Sequence, residues 1–181
     1  TPSTLAINPA TYRNMPYDAV RDFAPITQTH FVPNLILLHP SVPAKSVKEL
    51  IALAKAHPGE ILYGSSGHGT NPHLVIEMFK QRAGFQATHI PYKGSGPATI
   101  ALMSGEVDFS FAGAISMIPH LRSGKVKALA VTSPTPTRLA PSVPTLALLW
   151  PSACHISRTN CAVDVFPLVP VMAAIVSGWR A

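Results

Sequence analysis

Short apolar runs alternate with stretches of helical periodicity between residues 34 and 132, and this alternation is the strongest constraint on the fold. Strands that alternate with helices through short connections form mostly parallel sheets with helices on both faces. We therefore predict an α/β fold with a mostly parallel sheet of about five strands and four helices. The predicted strands are Leu35–Leu38, Ile61–Tyr63, Thr88–Ile90, Val107–Phe111 and Ala128–Thr132.

Local signals indicate where the helices begin and end. Ser46 and Glu49 form a Ser-x-x-Glu capping box, which predicts a helix that continues to about His57. Pro72 suits the first position of a helix and Gly84 suits its termination, so a second helix is predicted between them. The last two helices are predicted over Ala98–Met103 and over residues 115–121, where Pro119 is expected to kink the helix or delay its start.

A glycine- and serine-rich turn, Gly64–His73, joins the second predicted strand to the second predicted helix. Glycines let several backbone N–H groups point one way, and the amino end of a helix attracts negative charge. The turns 64–73, 91–97 and 112–116 follow strands whose carboxyl ends would share one edge of the sheet, where such folds bind ligands. The chemistry predicts a cradle for a carboxylate or a phosphate, and a purely structural turn is the alternative.

Nucleotide-binding motifs fit this turn poorly. Gly64 and Gly69 have the spacing of a Walker loop, but Thr70 occupies the position of its lysine. Pro72 stands where a dinucleotide-binding fingerprint needs its third glycine. The serines of the turn also lack the Gly-x-Ser-x-Gly pattern of a hydrolase elbow.

Composition narrows the functional classes. The chain has 181 residues, of which 47% are hydrophobic and 12% charged, so it can build one sizeable core. The formal net charge of +6 suits an anionic ligand, but the 14 lysines and arginines form no basic run, which argues against nucleic acid. Cys154 and Cys161 match no metal or redox spacing. The chain opens on no secretory signal pattern, and prolines break its apolar tail too often for a membrane span.

Neither a metal, a cofactor nor catalysis is expected from the sequence. His39, His57, His89 and His120 share no metal-ligand spacing. His68 is expected at the exposed tip of the turn. His73 either orients the turn or contacts ligand, and a histidine on the helix surface without a role is the alternative. A hydrolase would need Ser66, one of these two histidines and Asp108 to assemble, which no recognised spacing supports. A small hydrolase that uses Ser66 is kept as an alternative.

Eight short motifs follow one another along the chain: Ile7–Pro9, Met15–Asp18, Asp22–Pro25, His39–Ser46, Tyr63–Thr70, Ile90–Ser95, Gly105–Asp108 and Gly124–Thr132. In this order they resemble the solute receptors of tripartite tricarboxylate transporters, often called Bug proteins. The resemblance ends near Val143–Thr145. It implies a periplasmic receptor with a type II periplasmic-binding-protein-like fold of two lobes. A small carboxylate would lie between the lobes, and membrane transporter subunits would be the partners.

The resemblance also implies a division of the chain. Residues 1–33 would be a remnant of the first lobe, residues 34–132 the second lobe, and residues 133–181 a proline-rich connection with a non-matching tail. The loop Ser65–Asn71 would be the second lobe's contribution to the ligand site, and the first lobe's half would come from a loop that this chain lacks. Thr4 is added by the resemblance, Tyr92 by its place at a strand end, and Ala112 by its place before a helix. The expected ligand-binding residues are Ser65, Ser66, Gly67, Gly69, Thr70, Asn71, His73, Thr4, Tyr92 and Ala112.

Family members are longer than this chain, and their first strand, glycine-rich loop and helix precede a segment like Thr1–Pro9. We therefore expect a chain truncated at its amino terminus and altered after about residue 146, by a slip of reading frame or by truncation. A remnant with little or no binding is the alternative to a working receptor. Apolar surface left uncovered would favour a homo-oligomer.

Overall fold

The computed structural model describes residues 14–18, 21–24, 26–27, 33–133 and 142–146. Contacts divide the chain into two compact units: the larger holds Val32–His68 and Pro72–Pro151, and the smaller holds Thr1–Phe31, Gly69–Asn71 and Ser152–Ala181. Thr4, both cysteines and the tail after residue 146 lie outside the described residues.

The smaller unit contains an exposed turn around Asp18–Asp22. The backbone N–H of Asp22 donates to the carbonyl of Asp18 at 3.0 Å. Arg21 pairs with the carboxylate of Asp22 at 2.7 Å, and the rings of Tyr17 and Phe23 meet edge to face at 5.5 Å. Exposed pairs of this kind contribute little to stability.

The larger unit is built on a five-stranded sheet in the order β3-β2-β4-β1-β5. Its strands are β1 (Asn34–Leu38), β2 (Leu62–Ser65), β3 (Thr88–Pro91), β4 (Phe109–Gly113) and β5 (Lys127–Val131). Strand β2 is parallel to β3 and to β4, whereas β1 is antiparallel to β4 and to β5. Four strands therefore run in one direction and β1 runs against them, which confirms a mostly parallel sheet.

Four helices alternate with these strands, as predicted. They are α1 (Val47–Ala56), α2 (Asn71–Ala83), α3 (Ser95–Ser104) and α4 (Ala114–Arg122). Within the described part of the chain, each helix is too short or too polar to cross a membrane.

The helices cover both faces of the sheet, and β1 is buried between them. Ile36 and Leu38 of β1 pack with residues of α1 and α2 on one face. Leu35 and Leu37 pack with residues of α3 and α4 on the other. Successive side chains of a strand point to opposite faces, so an unbroken apolar run suits a strand covered on both sides. The predicted double-sided burial of this run is confirmed, since all four side chains are 0% exposed.

The capping box of α1 forms, with one difference from its usual pattern. Ser46 is the N-cap, and its side chain accepts a hydrogen bond from the N–H of Glu49 at 3.2 Å. The carboxylate of Glu49 instead accepts from the N–H of Lys45 at 2.7 Å, one residue earlier than a capping box requires. Both bonds still satisfy amides near the helix start, so the predicted beginning of the helix is confirmed.

Several predicted boundaries were wrong at the carboxyl edge of the sheet. Strand β2 continues through Gly64 to Ser65 because Gly64 pairs with both neighbouring strands. Strand β4 runs to Gly113, and α4 begins at the next residue, so the turn predicted over 112–116 does not exist. Helix α3 begins at Ser95 rather than at Ala98, since proline is tolerated in a first helical turn.

Pro119 neither delays nor ends α4, which runs from Ala114 to Arg122 with this proline inside it. Pro119 lacks the N–H that would reach the carbonyl four residues earlier, at Ile115. Both residues are exposed, so water can hydrogen-bond to that carbonyl. The expected late start of this helix was therefore wrong.

Gly105 is expected to tolerate alanine poorly. It ends α3 with φ of 79°, in the left-handed region, where an alanine costs about 1–2 kcal/mol. An added Cβ would also lie 3.1 Å from Cε1 of His39. We expect Gly105→Ala to lower the free energy of unfolding by about 2 kcal/mol in urea denaturation.

Gly124→Ala is the matched control for this substitution. Gly124 has φ of 70°, but among the described residues no heavy atom lies within 4 Å of an added Cβ. Its loss should be the smaller, about 1 kcal/mol, because only the backbone strain remains. Equal losses at the two glycines would show that the contact with His39 has no energetic role.

Candidate functional site

The segments after β2 and β3 and the end of β4 meet at one edge of the sheet. The ligand turns are predicted at this edge. Parallel pairing of β2 with β3 and with β4 brings their carboxyl ends together. The N–H of Tyr92 donates to the carbonyl of Ser65 at 3.0 Å, and Ser110 Oγ donates to the carbonyl of Gly64 at 2.8 Å. The predicted gathering of segments is therefore found, although its last segment is a strand end and not a turn.

Ser65 supports the loop that follows it from a buried position. Its side chain is 1% exposed, and its Oγ lies 2.7 Å from Nε2 of His89. The same Oγ lies 3.1 Å from the carbonyl of Gly67 and accepts the N–H of Gly67 at 3.2 Å. One of the amides predicted to face an anion therefore turns inward onto Ser65.

The loop between β2 and α2 depends on glycine. Gly67 has φ of 129° and Gly69 has φ of 70°, both positive values that other residues rarely adopt. Ser66 and Thr70 are half-buried, and Asn71 is the first residue of α2. The loop therefore runs directly into the amino end of a 13-residue helix, which carries partial positive charge.

Three histidines from this loop, α2 and β3 form a cluster beside it. The rings of His73 and His89 stack with centroids 4.2 Å apart. The ring of His68 meets His89 edge-on at 4.9 Å and His73 at 5.6 Å. His73 is buried, His89 half-buried and His68 exposed. The expected exposure of His68 is found, but its position among two other imidazoles is not what the sequence indicates.

Tyr63 forms a platform under the cluster. Its ring stacks on His89 at 4.8 Å, and its hydroxyl donates to the carboxylate of Glu77. Glu77 also accepts from Lys80 Nζ at 2.7 Å, and this ammonium lies 5.2 Å from the centroid of the Tyr63 ring. The tyrosine, carboxylate and ammonium fix one another beneath His89.

Burial shifts the pKa values of Tyr63, His73 and His89. Burial, and next the neighbouring His73 and His68, lower the pKa of His89 to about 4. Burial also lowers the pKa of His73. Burial and the hydrogen bond to Glu77 raise the pKa of Tyr63. Because His73 and His89 are neutral at neutral pH, they offer lone pairs and N–H groups rather than positive charge.

Two predicted ligand residues have other contacts. The ring of Tyr92 lies over Gly64, 3.5 Å from the position of an added Cβ. Its hydroxyl donates to Glu106 at 2.8 Å, and burial and this bond raise its pKa to about 12. Ala112 lies inside β4 opposite Leu35. Its predicted place at a helix start was wrong because β4 continues past it, and its role in ligand binding stays a prediction.

The backbone N–H at the start of α4, which was expected to face a ligand, already forms a hydrogen bond within the chain. The N–H of Ala114 donates to the carbonyl of Pro33 at 3.0 Å, so this helix start points at the chain that enters β1.

The alternative hydrolase site is not assembled. Asp108 precedes β4 and accepts the N–H of Leu62 at 2.7 Å, at the amino edge of the sheet. Ser66 follows β2 at the carboxyl edge. The acid that would orient a catalytic histidine is therefore at the wrong end of the strands for Ser66.

Sequence reasoning missed His89 as a neighbour of the turn. In the parallel pair of β2 and β3, His89 is directly opposite Tyr63. The available signal was that consecutive strands are often neighbours in a sheet, so a histidine one strand further along can meet the preceding turn. Sequence reasoning also missed the pairing of Asn34 with Thr132 at the same edge of the sheet. The N–H of Thr132 donates to the carbonyl of Asn34 at 2.8 Å, and the N–H of Asn34 donates to Oγ1 of Thr132 at 3.0 Å.

A mixed five-stranded sheet with helices on both faces and glycine-rich loops at its carboxyl edge defines an α/β ligand-binding lobe of the periplasmic-binding-protein type. Comparison with known families is specific. The chain belongs to the family described as "Tripartite tricarboxylate transporter family receptor", whose model matches residues 1–155. This match extends past the point near residue 145 where the motifs in the sequence end.

Individual relatives agree with this assignment. BugT of Bordetella pertussis is 35% identical over 145 residues, which cover 80% of this chain and 44% of BugT. A structure of an R. palustris protein with adipate is 30% identical with a TM-score of 0.73, and covers 96% of this chain and 60% of that one. The structure of the periplasmic binding protein BugD is 31% identical with a TM-score of 0.72. The match covers 80% of this chain and 48% of BugD. The chain therefore spans less than half of the length of BugT.

Proposed function

We propose that this chain acts as an extracytoplasmic solute receptor that binds a small carboxylate through the loop Ser66–Thr70 and delivers it to membrane subunits of a tripartite tricarboxylate transporter. The observation that carries the proposal is the position of this loop. Two glycines with positive φ lead it into the amino end of α2, at the edge of the sheet where α/β folds bind ligands. Membership of the receptor family supports the same function and a periplasmic location.

The chemistry of the loop suits a carboxylate. The amino end of α2 carries partial positive charge, and the hydroxyls of Ser66 and Thr70 can donate neutral hydrogen bonds. The neutral imidazoles of His73 and His89 add no full charge, so one or two carboxylate oxygens are a better match than a phosphate. The relative solved with adipate makes a linear dicarboxylate the first ligand to test.

We expect calorimetric titration of the full chain with adipate and shorter dicarboxylates to detect binding of at least one of them. Adipamide, which has the same carbon chain without charge, should not bind. Ser66→Asp should weaken binding at least about tenfold, because its carboxylate would repel the ligand. An acidic residue near a helix amino end does not itself destabilise the helix, so loss of binding would not reflect unfolding.

Ser41→Asp serves as the control, since Ser41 is exposed in the connection after β1. This variant should bind the ligand as the parent chain does. Absence of any heat with every carboxylate would contradict the proposal and favour the alternative of a chain with little or no binding. Turnover of a bound ester or amide would instead favour an enzyme. Self-association stays a prediction that size-exclusion chromatography can test.

A further inference from the structure

We propose that His68, His73 and His89 bind a divalent transition metal ion of the Zn²⁺ class at the carboxyl edge of the sheet. The three side chains come from the loop, from α2 and from β3, so they meet only in the folded chain. One ring nitrogen from each lies within 4.8 Å of the other two. The proposal is independent of the carboxylate function, since it concerns the metal alone.

The distances are close to those of a three-histidine site. Imidazole nitrogens bind zinc at about 2.0–2.1 Å, which places two tetrahedral ligands about 3.4 Å apart. The widest pair of nitrogens must therefore approach by at most about 1.4 Å from the 4.8 Å limit. The side chain of His68 has room to move towards the other two, because it is exposed and His68 stands between Gly67 and Gly69.

The other two ligands already lie side by side in the folded chain. His73 is on a helix and His89 is on a strand of the core sheet, and their rings stack at 4.2 Å. Ser65 Oγ lies 2.7 Å from Nε2 of His89, and the Tyr63 ring stacks on the same imidazole at 4.8 Å. An imidazole has two nitrogens, so a hydrogen bond through one leaves the other for a metal and fixes the orientation of the ring.

The chemistry of the three ligands selects the metal. Each imidazole can coordinate a metal ion through either of its two ring nitrogens. A set made of nitrogen ligands suits Zn²⁺, Cu²⁺ or Ni²⁺, whereas Ca²⁺ and Mg²⁺ prefer oxygen ligands. Three protein ligands leave a fourth tetrahedral position for water or a small anion, so the site is suited to reversible binding.

The test uses the full chain without an affinity tag. Zn²⁺ titrated in a calorimeter should bind with one ion per chain, and Co²⁺ should give the visible absorption of a nitrogen-ligated tetrahedral ion. His68→Ala should weaken Zn²⁺ binding at least about tenfold and remove the Co²⁺ absorption. His68 is exposed, so this variant should keep the fold, which circular dichroism can verify.

His57→Ala is the matched control, because His57 is an exposed histidine that pairs with Glu60 at 3.1 Å on the far end of α1. It should bind Zn²⁺ as the parent chain does. His89→Gln provides a second variant in the cluster and should show the loss seen for His68→Ala. The proposal is overturned if the parent chain binds no Zn²⁺, or if both cluster variants bind it as tightly as His57→Ala does.

Discussion

Ile76→Ala is expected to lower the free energy of unfolding by about 2–5 kcal/mol, whereas Ile100→Ala should change it by less than about 0.5 kcal/mol. Both isoleucines are in helices, Ile76 in α2 and Ile100 in α3. Ile76 is 0% exposed in the core between the sheet and α2, but Ile100 is 63% exposed. The two variants remove the same atoms, so they differ mainly in the cavity that only the first one leaves.

Urea denaturation of the two variants and of the parent chain measures this difference. The slope of the unfolding free energy against urea should stay the same, since neither change alters the surface that unfolding exposes. Similar losses at the two positions would mean that α2 does not pack against the sheet through Ile76. The result would then also question the placement of His73 in the cluster, because it is on the same helix.

Glu77→Ala is expected to cost about 3 kcal/mol. The side chain of Glu77 is 18% exposed and that of its partner Lys80 is 14% exposed. Removing the carboxylate leaves the ammonium of Lys80 and the hydroxyl of Tyr63 without the bonds that it accepts from them. Alanine favours a helix more than glutamate does, so a loss of helix propensity cannot explain destabilisation.

The matched control is Glu60→Ala, because Glu60 pairs with His57 at the surface and is 74% exposed. Its loss should stay between about 0 and 1 kcal/mol. Thermal unfolding of Glu77→Ala, of Lys80→Met and of the double variant that combines them gives the coupling energy of the partly buried pair. A coupling energy near zero would show that the Tyr63 platform does not depend on this ion pair.

Local signals predicted most of the fold. The apolar runs located all five strands, and the cap at Ser46 and the glycine at Gly84 located helix ends, because each of these signals depends on neighbours in sequence. The signals failed where tertiary pairing decided the outcome. Gly64 and Ala112 look like turn residues, but pairing with adjacent strands extends β2 and β4 over them. Local signals could not predict the reversed direction of β1 either, because its direction is set by pairing with β4 and β5, which are distant in sequence.

The candidate site was predicted only in part. The loop after β2 and its place at the sheet edge follow from motif and topology. The histidine cluster does not, since His89 is on a neighbouring strand and shares no spacing with His68 or His73. The sequence therefore predicts no metal site, in contrast to the proposal drawn from the folded cluster. Spacing rules find ligands on one element, and they cannot find ligands that three elements supply.

The position of β1 sets the order in which the sheet can be completed. This strand is made first but lies between β4 and β5, and Asn34 bonds to Thr132 across 98 residues of chain. Contacts between such distant residues form slowly because a long loop must close first. On the ribosome, the four apolar side chains of Leu35–Leu38 therefore stay uncovered until almost the whole lobe has emerged. Among the strands that the structure describes, the best-buried one is thus the segment that most needs protection from aggregation during synthesis.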